Sequence, residues 1–248
     1  MVKVVSLLSL LQINMIDKVK IVYEDEYLLG VSKPHGLFVI PGRFDKDEPF
    51  LRRILEEKFG RRLWVIHRID RGTSGLVIFG KTSEAHREMC ILFEHRKVKK
   101  RYIGIVMGDV EYDGTIDKPI RQGRKGKYKV AENGKPAVTK YRVMERFKGF
   151  TLLSILPLTG RPHQIRVHLK YIGYPIAVDP VYNKSLPEEY KEIFEPIIKA
   201  HPKALSLHSF SLKFVHPFTK KETEIKAGLS EEMKAVIERL RLKTKIQS

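Results

Sequence analysis

The stretch GLVIFGK, residues 75–81, constrains this chain more than any other. A strand with one wet face alternates apolar and polar residues, whereas this run is apolar almost throughout and therefore reads as a strand of the core. Upstream, LWVIH (63–67) reads as a second buried strand. Between them lies HRIDRGTSG (67–75), a loop gripped at both ends by rigid elements, which is where a scaffold can hold reactive groups in place. Thr82 or Ser83 caps the helix that follows, with Ala85, Met89, Leu92 and Phe93 on one face. Cys90 falls near the core side of that helix and reads as a small buried hydrophobe; a lone cysteine excludes an intramolecular disulfide and fits a reducing cytoplasm.

The remaining segments surround this centre. Residues 19–34 read as a hairpin of two short strands, and Pro49 starts a helix whose Leu51, Ile54, Leu55 and Phe59 follow helical spacing. Residues 98–110 form a long strand, with further strands near 138–146 and 151–157. Pro162 opens a helix with Ile165, Leu169 and Ile172 as its buried stripe and Arg166 off that stripe. A helix near 187–199, strands in ALSLHSFSLKFVHP and near 221–226, and a terminal helix capped by Ser230 complete the chain. No repeat or flexible linker divides it, so residues 19–248 read as one domain and 1–18 as an N-terminal extension, with Met15 as an alternative start. The apolar run Val4 to Ile13 is too short to span a bilayer. No membrane association is expected, and the chain reads as a monomer.

Charge identifies a class of partner. With 47 Lys plus Arg against 29 Asp plus Glu, the net charge is +18, a field that attracts polyanions, nucleic acid first. Residues 118–140 carry eight Lys or Arg against one Glu, which suits a flexible hairpin laid along a phosphate backbone through Arg121, Arg124, Lys125, Lys127 and Lys129.

Several chemistries lack their signatures. No HExxH pair or carboxylate cluster supports a metal site, and neither a P-loop nor a GxGxxG turn supports a nucleotide cofactor. Ser74 lies in TSG rather than a GxSxG elbow, so Thr73 and Ser74 read as turn residues. Asp70, flanked by Arg68 and Arg71, is either a neutralised turn residue or a reactive carboxylate. A second cluster, TGRPHQIRVH (159–168), holds Arg161, His163, Arg166 and His168; if the two segments meet, a cation from the second pairs with Asp70 in a partly desolvated site.

HRIDRGTSG and TGRPHQIRVH, together with YEDEYLLGVSKPHGL, KKRYIGIVMG and LHSFSLKFVHP, resemble the RNA pseudouridine synthases of the RluA type, in a compact form without an S4 domain. The resemblance implies an α+β fold, a mixed, mainly antiparallel sheet with flanking helices and a central RNA-binding cleft. It implies Asp70 as the catalytic carboxylate, Arg68 entering the RNA where the target uridine leaves, Tyr102 stacking on the flipped base, and Arg166 pairing with Asp70. Lys33, Arg161 and His163 are expected to contact substrate. The implied reaction is isomerisation of uridine without cofactor, and Asp70 either attacks the sugar, attacks the base or takes a proton from the sugar. The expected substrate is structured RNA, tRNA ahead of 23S rRNA; the competing reading is a basic RNA-binding or ribosome-associated protein on the same fold without catalysis.

Overall fold

The computed structural model describes residues 18–41 and 48–246, so the apolar run at the N-terminus lies outside the described residues. Twelve strands are described: β1 (Lys20–Glu24), β2 (Leu28–Lys33), β3 (Trp64–Val65), β4 (Ser74–Gly80), β5 (Lys99–Met107), β6 (Gly114–Asp117), β7 (Ile120–Gln122), β8 (Tyr128–Val130), β9 (Val138–Phe147), β10 (Phe150–Pro157), β11 (Leu207–Val215) and β12 (Glu222–Lys226). Five α-helices accompany them: α1 (Leu51–Phe59), α2 (Ser83–Glu94), α3 (Gln164–Tyr171), α4 (Glu188–Ala200) and α5 (Glu231–Ile246). The main sheet runs β1-β2-β4-β11-β5-β10-β9-β6, with β12 beside β11 and β3 beside β4; every pairing is antiparallel except β4 with β11. The mixed, mainly antiparallel sheet read from the sequence is therefore present, and β7 and β8 form a separate ribbon.

β4 is the strand the apolar run requires: all seven of its residues are buried. Its side chains divide between two layers because successive residues point to opposite faces. Leu76 and Ile78 pack with Ala85 and Met89 of α2, while Val77 and Phe79 pack with Leu51 and Leu55 of α1. The other half of the sheet is layered likewise, with Ile103, Ile105 and Leu152 under α4 and α5, and Val106, Leu153 and Ile155 under α3. Burying one such aliphatic or aromatic side chain contributes about 1.5–3 kcal/mol, so both faces hold the centre of the sheet rigid.

Several elements depart from the sequence reading. The strand expected over LWVIH is only Trp64–Val65, because residues 66–70 leave the ladder to form the Asp70 loop. The helix expected from Pro162 starts at Gln164, since His163 takes a left-handed backbone conformation at φ 54°. That helix has no polar stripe over its first six residues: Gln164 to Leu169 are all buried, Arg166 and His168 included. Cys90 is half-buried and lies outside the core clusters. The basic hairpin is anchored at its base rather than free, with Ile120 and Ala137 buried against Val167 and Tyr182.

Candidate active site

One row of cross-strand partners locates the site. Lys33 faces Gly75, Gly75 faces Ser209, and Ser209 faces Tyr102, so β2, β4, β11 and β5 meet at the middle of the sheet. Gly75 is required there, because at φ 101° a Cβ would sit 2.2 Å from the Ser209 carbonyl oxygen. The HRIDRGTSG loop enters this row from the N-terminal end of β4. Ile66 and Ile69 are buried and pin it inward, leaving Arg68 exposed and the Asp70 side chain 29% exposed. His67 accepts the Ile78 amide at 3.1 Å and stacks on Phe93; burial pulls its pKa down to about 3, so it serves as a neutral acceptor.

The turn after Asp70 is held from three distant segments. Thr73 N–H returns to the Asp70 carbonyl at 3.1 Å, and the Leu205 amide and His35 Nδ1 donate to the Gly72 carbonyl at 3.0 and 2.8 Å. The Arg71 carbonyl accepts from Gly36 N–H at 2.9 Å and from Lys33 Nζ at 3.0 Å. Gly72 leaves no room for a side chain, since a Cβ would meet the Lys203 carbonyl oxygen at 1.9 Å. Arg71 itself does not pair with Asp70. Its guanidinium lies over the Phe38 ring at 4.5 Å, donates to Gly36 O at 2.8 Å and pairs with Glu48.

The partner of Asp70 is Arg166, whose Nη1 donates to Oδ2 at 2.9 Å. The other two nitrogens of that guanidinium donate to Asp179, Nε to Oδ2 at 2.7 Å and Nη2 to Oδ1 at 2.8 Å, and the Tyr182 ring lies beneath it at 4.8 Å. Burial works against the Arg166 charge, but the hydrogen bonds and charges of Asp179 and Asp70 outweigh it and move its pKa upward. Asp179 also accepts the Val181 and Tyr182 amides, each at 3.0 Å, which fixes the turn that presents Tyr182. Asp70 Oδ1 carries no hydrogen bond among the described residues, so the carboxylate is oriented through one oxygen and presents the other.

Tyr102 sits on β5 at the junction of two core clusters, half-buried. Burial pushes its phenol up to about 12 and the charge of Asp70 adds to this, so it stays a neutral aromatic. Lys33 is corrected by the structure: it is 1% exposed, and its Nζ donates to the carbonyls of Pro34, Leu37 and Arg71, so it braces the Asp70 loop rather than meeting a substrate. Burial pulls its pKa down to about 7, against the opposing charge of Asp70. Arg161 is half-buried and donates to Pro136 O at 3.1 Å. His163 meets the Tyr182 hydroxyl at 2.8 Å and packs edge-on against Tyr128 and Tyr182, next to Arg166 but not touching Asp70. Arg121, Arg124, Lys127 and Lys129 are exposed on the β7–β8 ribbon, and Lys125 belongs to the 3-10 turn at its tip.

Sequence reasoning missed Asp179, Tyr182 and His35. Asp179 had a readable signal, an Asp followed by Pro in DPVY, which suits a side chain accepting backbone amides two and three residues on. Among the described residues no group of three or more His, Cys, Asp or Glu could hold a metal ion, and no helix is long and apolar enough to cross a membrane.

Known proteins share this arrangement of segments. The sequence profile described as RNA pseudouridylate synthase matches residues 27–171. Ribosomal large subunit pseudouridine synthase D of Nitrosomonas europaea is 36% identical over 228 residues, covering 90% of this chain and 65% of that protein. The chain thus spans just under two thirds of that relative. Ribosomal large subunit pseudouridine synthase C of Vibrio vulnificus is 36% identical, with 89% and 69% of the two chains covered. The uncharacterized RNA pseudouridine synthase YlyB of Bacillus subtilis is also 36% identical, with 89% and 72% covered. Among solved structures, human RNA pseudouridylate synthase domain containing 4 superimposes with a TM-score of 0.74 at 25% identity over 94% of this chain and 96% of that one.

Proposed function

This chain belongs to the RNA pseudouridylate synthase family, and on that premise we infer that it isomerises uridine to pseudouridine within structured RNA. The observation that carries the reading is the Asp179–Arg166–Asp70 array, in which a buried, doubly anchored guanidinium aims one carboxylate and leaves its Oδ1 open. In the isomerisation the bond from N1 to C1′ breaks, the base turns, C5 bonds to C1′, and the proton lost from C5 is balanced by one gained at N1. Nothing is added or removed, so no cofactor is required. One aimed carboxylate also differs from the pair that an ordinary glycoside hydrolase places across its bond. Asp70 is the catalytic group.

Arg68, the exposed side chain of the loop, fills the gap left by the extruded uridine, and the Tyr102 ring supports the base beside Asp70. The basic ribbon carries the RNA backbone across the middle of the sheet. The substrate is large-subunit ribosomal RNA ahead of transfer RNA. This reverses the order expected from the sequence alone, because the synthases D and C compared above are named for the ribosomal large subunit. A non-catalytic RNA-binding role is disfavoured, because a binder has no use for a carboxylate oriented by a buried ion pair.

Incubation of wild type and Asp70→Ala with total cellular RNA tests this, with new pseudouridines mapped by carbodiimide-dependent primer-extension stops. Stops in large-subunit rRNA are expected with wild type and none with the variant. Stops that persist with Asp70→Ala would remove Asp70 from the chemistry, and stops in tRNA alone would reverse the substrate preference.

A further inference from the structure

A second cationic feature adjoins Tyr182, the residue whose ring carries Arg166. There a groove of about 720 Å3 opens between the β7–β8 ribbon, the end of α3 and the turn after Asp179. Its volume falls within the range of about 300–1,000 Å3 typical of ligand sites. Three lysines line it, Lys127 from the ribbon, Lys170 from the last turn of α3 and Lys184 from the turn after Tyr182. All three are exposed, none has an ion-pair partner among the described residues, and no acidic residue lines the groove. Some surface lysines are neutralised, as Lys191, Lys199 and Lys234 are by Glu188, Glu195 and Glu231, so it is the meeting of three unpaired lysines in one groove without a carboxylate that sets this place apart. Pro175, Val181 and Tyr182 give the groove its apolar lining, and Asn183 and Ser185 add polar side chains.

We propose that this groove is an RNA subsite separate from the Asp70 centre, holding two or three consecutive phosphates of a single strand next to the reacting nucleotide. Uncompensated charge on an apolar floor fits a strand whose phosphates face the lysines and whose sugars and bases lie on Pro175 and Val181. Continuity selects a strand over a free nucleotide. Lys127 belongs to the ribbon that also bears Arg121, Arg124 and Lys129, so the groove prolongs a cationic track instead of closing around one ligand. The Tyr182 ring forms part of the groove while carrying Arg166 at 4.8 Å, and the Tyr182 hydroxyl accepts the Tyr128 amide of the ribbon at 2.8 Å. The same side chain thus touches the ribbon, the groove and the partner of Asp70. The inference rests on the reading of Asp70 as an RNA-modifying centre.

The test uses the full chain and fluorescein-labelled octauridylate, with binding followed by anisotropy from 50 to 200 mM KCl. Three proteins are compared with wild type: K127Q/K170Q/K184Q, the single variant S185E, which adds a negative charge to the exposed rim, and a control triple K191Q/K199Q/K234Q on α4 and α5. Each phosphate neutralised on a single strand contributes about 0.7 to the slope of log affinity against log salt. The groove triple is therefore expected to lose about two from that slope and at least tenfold in affinity at 100 mM, S185E to weaken binding several-fold, and the control triple to follow wild type. Binding by the groove triple and S185E that matches the control triple would overturn the proposal, as would competition by uridine monophosphate as effective as that by octauridylate. Anisotropy reads binding without turnover, which keeps this result independent of whether wild type forms pseudouridine.

Discussion

Replacing Asp179 by Asn should cost far more stability than replacing Asp70 by Asn, although both carboxylates touch the same guanidinium. The Asp179 side chain is 1% exposed and accepts two hydrogen bonds from Arg166 and two from backbone amides. Asn keeps one acceptor, enough for Val181, Tyr182 and Arg166 Nη2, but sets an NH2 against Arg166 Nε, donor against donor, where Asp179 Oδ2 now accepts at 2.7 Å. It also leaves a guanidinium that is 6% exposed balanced by Asp70 alone. Breaking a buried pair in this way costs about 3–5 kcal/mol. With about 2–4 °C lost per kcal/mol for a chain of this size, the melting temperature should fall by roughly 6–20 °C. Asp70 gives up one hydrogen bond from a site that is 29% exposed, and Arg166 keeps Asp179, so the cost is about 0.5–1.5 kcal/mol. Thermal melts followed by circular dichroism at pH 7 decide the matter. An Asp179→Asn protein melting within about 2 °C of wild type, or an Asp70→Asn protein less stable than Asp179→Asn, would refute the reasoning.

Gly72→Ala should abolish activity and lower expression, because its methyl group would meet the Lys203 carbonyl oxygen at 1.9 Å and must displace either that strand connection or the Asp70 turn; soluble yield and the primer-extension assay report it. Stability should fall as pH drops from about 6.5 to about 4. Burial holds His67 near 3 and His208 near 4 in the fold, so over that interval the unfolded chain binds protons that the native state refuses. Urea midpoints at pH 7, 6 and 5 should show the decline, and His208→Asn should make it shallower; an unchanged slope would assign the decline to other groups. Neutralising Arg121, Arg124 and Lys129 together should weaken RNA binding and flatten its salt dependence, by about 0.9 in slope per duplex phosphate released. A slope equal to that of wild type would mean that the ribbon points away from RNA.

The sequence was most legible where one physical signal dominated. The unbroken apolar run of β4 announced a strand with both faces covered, and the register of β2, β4, β11 and β5 converges on the loop it anchors. The pairing of Asp70 with Arg166, 96 positions away, followed from charge and from the family resemblance together. Helical spacing misjudged α3, because the stripe Ile165, Leu169 and Ile172 implied a wet face, whereas the helix packs on β9, β10 and the ribbon and its Gln164, Arg166 and His168 are buried with partners. Lys33 was misread for a related reason: a lysine beside a proline looks solvated until three carbonyls converge on it. No local pattern shows that Leu205 and His35 will hold Gly72, since those contacts exist only once the sheet has closed.

β11 lies between β4 and β5 and joins two half-sheets, β1-β2-β4 and β5-β10-β9-β6, yet at Leu207–Val215 it follows every strand of both in the chain. During synthesis every strand of both halves is available before the one that unites them. Until then the backbone edge of β4 at Ser74 and Gly75 lacks its partners in β11, and Gly72 lacks the amide of Leu205. Closure of such distant segments is slow, and an unpaired edge invites association with other chains. A nascent chain that stops at residue 171, where the family profile ends, already contains Asp70, Tyr102 and Arg166 but neither Asp179 nor β11. On the reading of Asp70 proposed above, the array that aims it is incomplete until Asp179 and β11 have been made, and a chain cut before Asp179 keeps Asp70, Tyr102 and Arg166 without the buried anchor of the guanidinium.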